Sequence, residues 1–280
     1  MAAAIAASLA GMPLNAQNAS SDQGPAMKQD QTKEKDMEAT VQRASDLIGM
    51  TVKDSQDHSA GTVKDLWIDL RDGCIAGVIV DPRGPATPSG PYPEMSTTEA
   101  RNAKLAAVPP ALFTFTPNGK SLRINTQPDA WKNAPTFAAS QIEESASAPM
   151  IEGIYKYYAV QMPAFGDLRR ATRVLGDAVI NGQDKRLGKV ENLVVDLPVG
   201  KVDKVIVASG GLLGIDRDLT ALDPQSFNYD PDSTKLKLDM SPESLKHSPH
   251  IKASEWRSSV STKTGSSVGG YTSADSQNGN

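Results

Sequence analysis

Cysteine, histidine and aromatic residues are scarce in this 280-residue sequence. The single cysteine, Cys74, excludes an intrachain disulfide and a thiolate metal site, and its apolar surroundings predict a buried side chain. The histidines are His58, His247 and His250, too few and too scattered to support a catalytic triad or a complete metal site. Aromatic residues make up 5 %, which argues against a platform for stacking bases or sugars.

The sequence also lacks a basic charge balance and a long hydrophobic run. Its net charge of −4 and pI near 5.5 give no electrostatic footprint for nucleic acid. No stretch reaches the roughly 20 apolar residues that a membrane-spanning helix needs. Residues 2–11 are a short apolar run, and Leu14-Asn15-Ala16 offers a cleavage site, although no cation precedes Lys28. We therefore predict a signal peptide over residues 1–16 and a bacterial periplasmic or secreted protein.

Two polar segments flank the rest of the chain. Residues 17–40 are rich in Gln, Lys, Asp and Ser, and residues 254–280 are rich in Ser, Gly, Thr and Asn. Such compositions bury too little apolar surface to offset the entropy lost on ordering. We predict that both segments are disordered.

One segment of the chain occurs twice. The stretch that begins at Arg43 matches the stretch that begins at Arg170, 127 positions later (170 − 43), without a gap as far as Val80. The matched positions are turn glycines and apolar strand residues: Gly49 with Gly176, Val52 with Val179, Gly61 with Gly188, Gly73 with Gly200, and Val78-Ile79-Val80 with Val205-Ile206-Val207. A duplication that keeps turns and core residues indicates two copies of one small fold.

Each copy begins with a predicted hairpin. Thr62 to Leu70 and Ile75 to Val80 are rich in β-branched residues and flank the turn Arg71-Asp72-Gly73, and the second copy turns at Pro198-Val199-Gly200. Two aspartates recur in these copies, Asp57 with Asp184 and Asp69 with Asp196. A general acid–base pair or a calcium site is one interpretation, but no His or Arg accompanies them, so hydrogen bonds to turn amides are favoured.

The similarity resumes after a variable stretch, where Val108-Pro109-Pro110 aligns with Leu222-Asp223-Pro224. The offset there is 114 (222 − 108), so the first copy carries a Pro-rich insert, which we place at residues 84–101. Short strands with turns between them predict an all-β fold of two small antiparallel barrels with closed sheets. The boundaries are 41–138 for the first domain, 139–167 for a linker and 168–253 for the second domain. Ile154 and the linker tyrosines are expected to pack on one of the domains.

The sequence resembles the PRC-barrel family, which is related to the soluble domain of the photosynthetic reaction centre H subunit and to a domain of a ribosome maturation factor. The resemblance rests on Leu47-Ile48-Gly49, on Gly61 to Asp69 and, most clearly, on Leu187 to Asp196 followed by Val205 to Ile215. It implies two PRC-type β-barrels in tandem that serve as an adaptor, with no catalytic residues to transfer. In the first copy the Pro-rich insert replaces the family's Gly-Gly-Leu-Leu-Gly segment.

The predicted function is therefore a non-enzymatic adaptor or scaffold that binds a protein partner in the cell envelope, without a cofactor or metal. The glycine-rich run lacks the Lys-Ser/Thr of a phosphate-binding loop, so we interpret it as a loop between strands. Phe113 is predicted to lie in the core, whereas Trp67 and Trp131 fit either a core or an exposed groove. The predicted partner-binding residues are Gly210, Gly211, Leu212, Leu213, Gly214, Asp216, Arg217 and Trp67.

Three alternatives stay open. A small-molecule or metal-ion binding protein would use the mouth of a barrel or the groove between the barrels. A ribosome-maturation-like factor is disfavoured by the apparent signal peptide and the acidic balance. An enzyme of unrecognised type has the least support.

Overall fold

The computed structural model describes residues 41–83, 103–210, 217–230 and 235–253. These residues belong to one compact unit that spans Glu38–Asn280. The predicted signal peptide, the leader 17–40, the tail 254–280 and the whole insert 84–101 lie outside the described residues.

The first repeat (residues 41–138) consists mostly of strands. Its strands are β1 (Val41–Arg43), β2 (Thr51–Lys53), β3 (Ser59–Asp69), β4 (Cys74–Asp81), β5 (Lys104–Val108), β6 (Phe113–Phe115), β7 (Ser121–Ile124) and β8 (Thr136–Ala138). Its helices are α1 (Ala44–Leu47), α2 (Pro128–Lys132) and a 3₁₀ turn at Pro110–Leu112.

The connector contains a 3₁₀ turn (Ala139–Gln141) and the helix α3 (Ala148–Tyr158). The second repeat (residues 168–253) then contains β9 (Arg169–Arg170), α4 (Ala171–Val174), β10 (Ala178–Ile180), β11 (Arg186–Asp196), β12 (Lys201–Ser209), β13 (Asp218–Leu222), a 3₁₀ turn (Pro224–Ser226), β14 (Phe227–Asp230), β15 (Lys235–Leu238), α5 (Pro242–His247) and β16 (His250–Lys252). Among the described residues, no helix is both long and apolar enough to cross a lipid bilayer.

The order of elements confirms the duplication, because β2, β3 and β4 recur as β10, β11 and β12, and β5 to β8 recur as β13 to β16. Both predicted hairpin turns are also confirmed. Gly73 and Gly200 adopt positive φ angles of 63° and 74°, which glycine reaches without the steric cost of a Cβ atom.

The sheet is mostly antiparallel, and its hydrogen-bonded path is open rather than closed into a barrel. The main path runs β14-β15-β10-β11-β12-β4-β3-β2-β7-β6, so the expected closure is wrong for this pairing. Strand β8 lies at the outer edge of β5, and β16 lies at the outer edge of β13. Among the described strands, β8 does not pair with β6 and β16 does not pair with β14, the pairings that would close each ring.

The described strands pair antiparallel, as predicted, except at two equivalent places: β2 pairs with β7 in parallel and β10 pairs with β15 in parallel. Strands β2 to β5 alternate in direction. The 3₁₀ turn at Pro110–Leu112 then leads into β6, which runs the same way as β5, and β7 returns parallel to β2. Proline lacks the amide hydrogen that would continue a strand ladder through this corner.

One hydrophobic core extends through both repeats. It contains Leu66 and Phe113 from the first repeat and Leu193 and Phe227 from the second, all with at most 2 % of their surface exposed. The predicted core position of Phe113 is therefore confirmed. The two repeats pack on each other and share their interior.

Helix α3 covers the opposite face of the first repeat. Its residues Ile151, Ile154 and Tyr155 are buried, and their spacing places them on one face of a helix. They pack on Trp67 and Phe137, whose rings stack at a centroid distance of 5.4 Å. The expected packing of Ile154 on a domain is confirmed, and β4 is buried on both faces as a result.

Candidate interaction site

The two repeats exchange their first strands. Strand β1 of the first repeat pairs with β11 of the second, with Arg43 opposite Val194. Strand β9 of the second repeat pairs with β3 of the first, with Arg170 opposite Trp67. Both pairings obey the same sequence offset, so the exchange is reciprocal and gives the unit an approximate two-fold axis.

The hairpin turns meet at this axis. The amide of Ile75 donates a 2.8 Å hydrogen bond to the carbonyl of Gly200, and the amide of Val202 donates a 2.9 Å bond to the carbonyl of Gly73. Cys74 and Lys201, which are equivalent positions of the two repeats, pair with each other between these bonds. The interlocked strands and turns make the two repeats one scaffold for whatever site they carry.

Beside the glycine-rich run of the second repeat lies a small cavity, which we call the loop-base pocket. It measures about 320 Å³, and its polar lining comes from Arg186, Lys189, Ser209, Gly210 and Arg217. Strands β11 and β12 position these residues, because β11 presents Arg186 and Lys189, while Ser209 ends β12 and Gly210 follows it.

The loop-base pocket carries a net positive charge. Arg217 binds the carboxylate of Glu191 through two nitrogens, at 2.5 and 2.9 Å, and Lys189 lies 3.9 Å from the same carboxylate. One carboxylate thus faces two cations, and Arg186 adds a third that has no ion-pair partner among the described residues. The pocket differs in sign from the chain as a whole, whose net charge is −4.

The equivalent place in the first repeat has a different charge arrangement. The buried carboxylate of Asp81 lies 2.7 Å from Arg83 and 3.8 Å from Lys64. Burial alone would raise the pKa of Asp81, but the hydrogen bonds from Arg83 and the charges of Arg83 and Lys64 hold it below its ordinary value. The carboxylate of Asp81 is therefore paired with cations of its own repeat. The loop-base pocket belongs to the second repeat.

A second cavity, the seam pocket, lies between the end of β3 and the strands β14 and β15. It has a volume of about 300 Å³, with Arg71 and Asp167 on one side and Phe227, Tyr229 and Leu236 on the other. Arg169 also lines it and stacks on the ring of Tyr229, with its guanidinium carbon 3.7 Å from the ring centre. Asp177 lies close enough to feel the charges of Arg169 and Arg173. Burial raises its pKa to about 6, against the attraction of these two cations.

The structure describes only part of the predicted partner-binding set. Gly210 and Arg217 line the loop-base pocket together, whereas Gly211, Leu212, Leu213, Gly214 and Asp216 lie outside the described residues. Trp67 lies away from them and is fully buried under α3, so its side chain is not at the surface. Trp131, at the edge of the shared core, is half-buried.

The recurring aspartates hold turns. Asp69 accepts hydrogen bonds from the amides of Arg71, Asp72 and Gly166, and Asp196 accepts one from Val199, as the sequence predicts. Asp57 and Asp184 also lie in turns, but their positive φ angles of 65° and 59° are their main contribution. The acceptors in these turns are Asp54 and Asn181, which each bind two amides and which the sequence interpretation missed. An Asx residue at a fixed distance before glycine is the signal that would have identified them.

The histidines are exposed and separate. His250 lies 3.8 Å from Asp218, and His247 ends α5. Within the described ranges, no group of three His, Cys, Asp or Glu side chains is arranged to hold a metal ion. Cys74 is buried as predicted, and its thiol donates a 3.5 Å hydrogen bond to the carbonyl of Ala164.

Comparison with known proteins agrees with this architecture. A search of curated proteins found no match. The model of the PRC-barrel domain matches two segments, residues 39–97 and 166–238, which fall on the two repeats. Over these two segments the chain belongs to the PRC-barrel family, and it carries the family's domain in tandem.

Proposed function

We propose that this chain is a non-enzymatic adaptor of the bacterial cell envelope, in which two PRC-barrel domains form one scaffold that binds a protein partner. Membership of the family supports an interaction or scaffold role. The export signal predicted over residues 1–16 supports the location. The reciprocal exchange of β1 and β9 supports a single scaffold, because it links the two repeats by strand pairing.

The observation that carries the proposal is the positive loop-base pocket at the stem of the glycine-rich run. Arg186 and Lys189 project from a strand whose backbone is paired on both sides. The backbone that carries these side chains is therefore already ordered, so a partner need not order it on binding. A partner that presents an acidic segment would meet complementary charge here, which speeds encounter and fixes orientation.

The sequence predicts further partner contacts in the segments near Gly210 to Asp218 and near Gly84 to Arg101, which lie largely outside the described residues. Because surface loops tolerate exchange better than the strands that hold them, these loops can be replaced without loss of the fold. Substitution of either loop by a short Gly/Ser linker should abolish partner binding and leave the thermal transition nearly unchanged. Unchanged binding would refute the assignment of these loops.

The decisive experiment is crosslinking in the native host with a tagged chain, after separation of envelope, soluble periplasmic and cytoplasmic fractions. We expect a processed form in the envelope with one dominant protein partner. The double variant Arg186→Glu and Lys189→Glu should lose that partner, because it reverses the charge of the pocket. Lys120→Glu, at an exposed lysine between β6 and β7 of the first repeat, is the control and should keep it.

Two results would contradict the proposal. An unprocessed cytoplasmic form on ribosomal particles would contradict both the proposed location and the proposed role. Recovery of the same partner by the double variant and the control would show that the loop-base pocket takes no part in binding.

A further inference from the structure

Arg169 is a partly buried cation that forms no ion pair within 4.0 Å with the described residues, and the carboxylate of Asp177 attracts it only from a longer distance. Its side chain makes no hydrogen bond to any described residue, and no carboxylate oxygen of those residues lies within 4.0 Å of it. Its Nε atom is buried without a partner. A guanidinium withdrawn from water and left unpaired is unfavourable, so a molecule that supplies an anion would stabilise it.

The position of Arg169 is fixed from two sides. Strand β9 pairs Arg169 with Ile68 of the first repeat, and the ring of Tyr229 supports the guanidinium from below at 3.7 Å. The side chain is therefore oriented before any ligand arrives. Planar guanidinium groups held in this way bind a carboxylate through two parallel hydrogen bonds.

The seam pocket offers a second cation and an apolar wall. Arg71 lines the same cavity, is exposed, and makes no side-chain hydrogen bond or ion pair with the described residues. Val174, Phe227 and Leu236 supply apolar surface. The volume of about 300 Å³ lies at the lower end of small-ligand pockets.

The two carboxylates of the pocket differ in their availability. Asp69 accepts hydrogen bonds from three backbone amides, at 2.6 to 3.2 Å, which occupy its oxygens and keep it ionised. Asp167 is exposed and has no ion-pair partner among the described residues. Its charge opposes an anion in the pocket and limits the site to ligands with a single carboxylate.

We propose that the seam pocket binds a carboxylate attached to a small apolar or aromatic group, with Arg169 and Arg71 holding the carboxylate. The carboxylate belongs either to a free small molecule or to the C-terminus of a peptide. The site is separate from the loop-base pocket, with which it shares no lining residue, and it does not depend on the proposed adaptor role.

The test is a titration of the full chain with benzoate, followed by NMR or calorimetry, with benzamide as the neutral match in shape. Benzoate should bind and benzamide should not. Arg169→Gln should weaken benzoate binding about tenfold or more, the loss expected for a charge-assisted pair of hydrogen bonds. Arg71→Gln should weaken it by a smaller factor, and Asp167→Asn should strengthen it because a repelling charge is removed.

Arg173→Gln is the matched control. Arg173 lies near Arg169 in the chain, is highly exposed, pairs with Glu143 and does not line the pocket. Its loss should leave benzoate binding unchanged, whereas a long-range charge effect would weaken binding in Arg173→Gln and Arg71→Gln alike. Melting curves of each variant separate loss of binding from loss of fold, and Arg71→Gln, at an exposed position, tests the site even if Arg169→Gln fails to fold.

A second pair of probes distinguishes the source of the carboxylate. N-acetyl-Gly-Gly-Phe with a free C-terminus is compared with its C-terminal amide. Tighter binding of the free peptide than of benzoate assigns the site to a peptide terminus, and the reverse order assigns it to a small molecule. Equal binding of benzoate and benzamide, no binding of either charged probe, or benzoate binding unaltered in both arginine variants would overturn the proposal.

Discussion

The Nε atom of Arg170 donates a 2.7 Å hydrogen bond to the carboxylate of Asp65, whose side chain is fully buried, and thereby joins the second repeat to the first. The same carboxylate accepts hydrogen bonds from the amide and the hydroxyl of Thr172. Asn192 is the equivalent of Asp65 in the second repeat and makes the corresponding bonds to the amide and hydroxyl of Ser45. The contact to Thr172 or Ser45 is thus made twice, once with a charge and once with a neutral amide, whereas Arg43, the equivalent of Arg170, pairs with Asp46.

We predict that Asp65→Ala destabilises the fold by about 3–5 kcal/mol, because it leaves the guanidinium of Arg170 and the amide of Thr172 without their acceptor. Asp65→Asn should cost clearly less, since Asn192 shows that an amide satisfies the equivalent position. Urea unfolding of the two variants and the wild type measures the difference. Equal losses for Ala and Asn would mean that the charge, and not the hydrogen-bond geometry, stabilises this contact.

Local signals in the sequence predicted the repeat, the hairpins and the buried Phe113, because turn glycines and apolar alternation act over a few residues. The exchange of β1 and β9 has no such signal. Each of these strands has two or three residues. Its partner belongs to the other repeat and lies more than 100 residues away in the chain. Pairing of this kind depends on how the repeats dock, which a single sequence does not display.

Helix α3 lies in the segment 139–167, which the sequence predicts to be a linker. Pro149 and Gly153 lie within it, and both residue types lower the expectation of a helix. Its buried residues Ile151, Ile154 and Tyr155 nevertheless follow the helical spacing, so the packing of the connector was predictable while its conformation was not. The loop-base pocket depends on strands that bring Arg186 and Arg217 together. No local sequence pattern predicts that these two residues lie close to each other.

Two glycines should respond to alanine in opposite directions. A methyl group at Gly61 would overlap the carbonyl oxygen of Asp81 and lie 2.8 Å from Cγ1 of Val80, and the φ angle of +148° is unfavourable for alanine. We expect Gly61→Ala to destabilise the protein by about 2–4 kcal/mol. Gly153 of α3 has no neighbouring atom within 4 Å of the same position, so Gly153→Ala should stabilise by up to about 1 kcal/mol.

Chemical denaturation of both glycine variants provides the measurement. A small change in the free energy of unfolding for Gly61→Ala would show that β3 and β4 move apart locally without loss of stability. A lower stability of Gly153→Ala would show that the position of α3 depends on something other than its helical conformation.

The carboxylate of Asp177 should make stability depend on pH. Its pKa is raised to about 6 from an ordinary value of 3.8, so the folded state binds more protons than the unfolded state between these values. Because of this group, the free energy of unfolding falls as the pH rises from about 4 to about 6. Above that range its full destabilising effect is present. Asp177→Asn should raise the free energy of unfolding at pH 7.5 by about 1–2 kcal/mol, a figure reduced for partial exposure to water, and should have little effect near pH 4.

Urea unfolding of Asp177→Asn and the wild type at both pH values tests this. Met50 occupies the equivalent position of the first repeat, so the fold accepts a neutral side chain there. A variant that is less stable than the wild type at pH 7.5 would show that attraction to Arg169 and Arg173 outweighs the cost of burying the charge.

Cys74 should be unreactive while the protein is folded. Burial, together with the negative charges of Asp69 and Asp72, raises the pKa of its thiol to about 11. Alkylation requires the thiolate, which is then almost absent at pH 8, and the position of Cys74 beside Lys201 at the two-fold axis blocks access to the sulfur. We expect mass spectrometry to detect no iodoacetamide adduct after incubation in native buffer at pH 8 and complete labelling in urea. Labelling of the native protein at the rate seen in urea would mean that the hairpin turns separate readily, and that the two repeats are not one rigid scaffold.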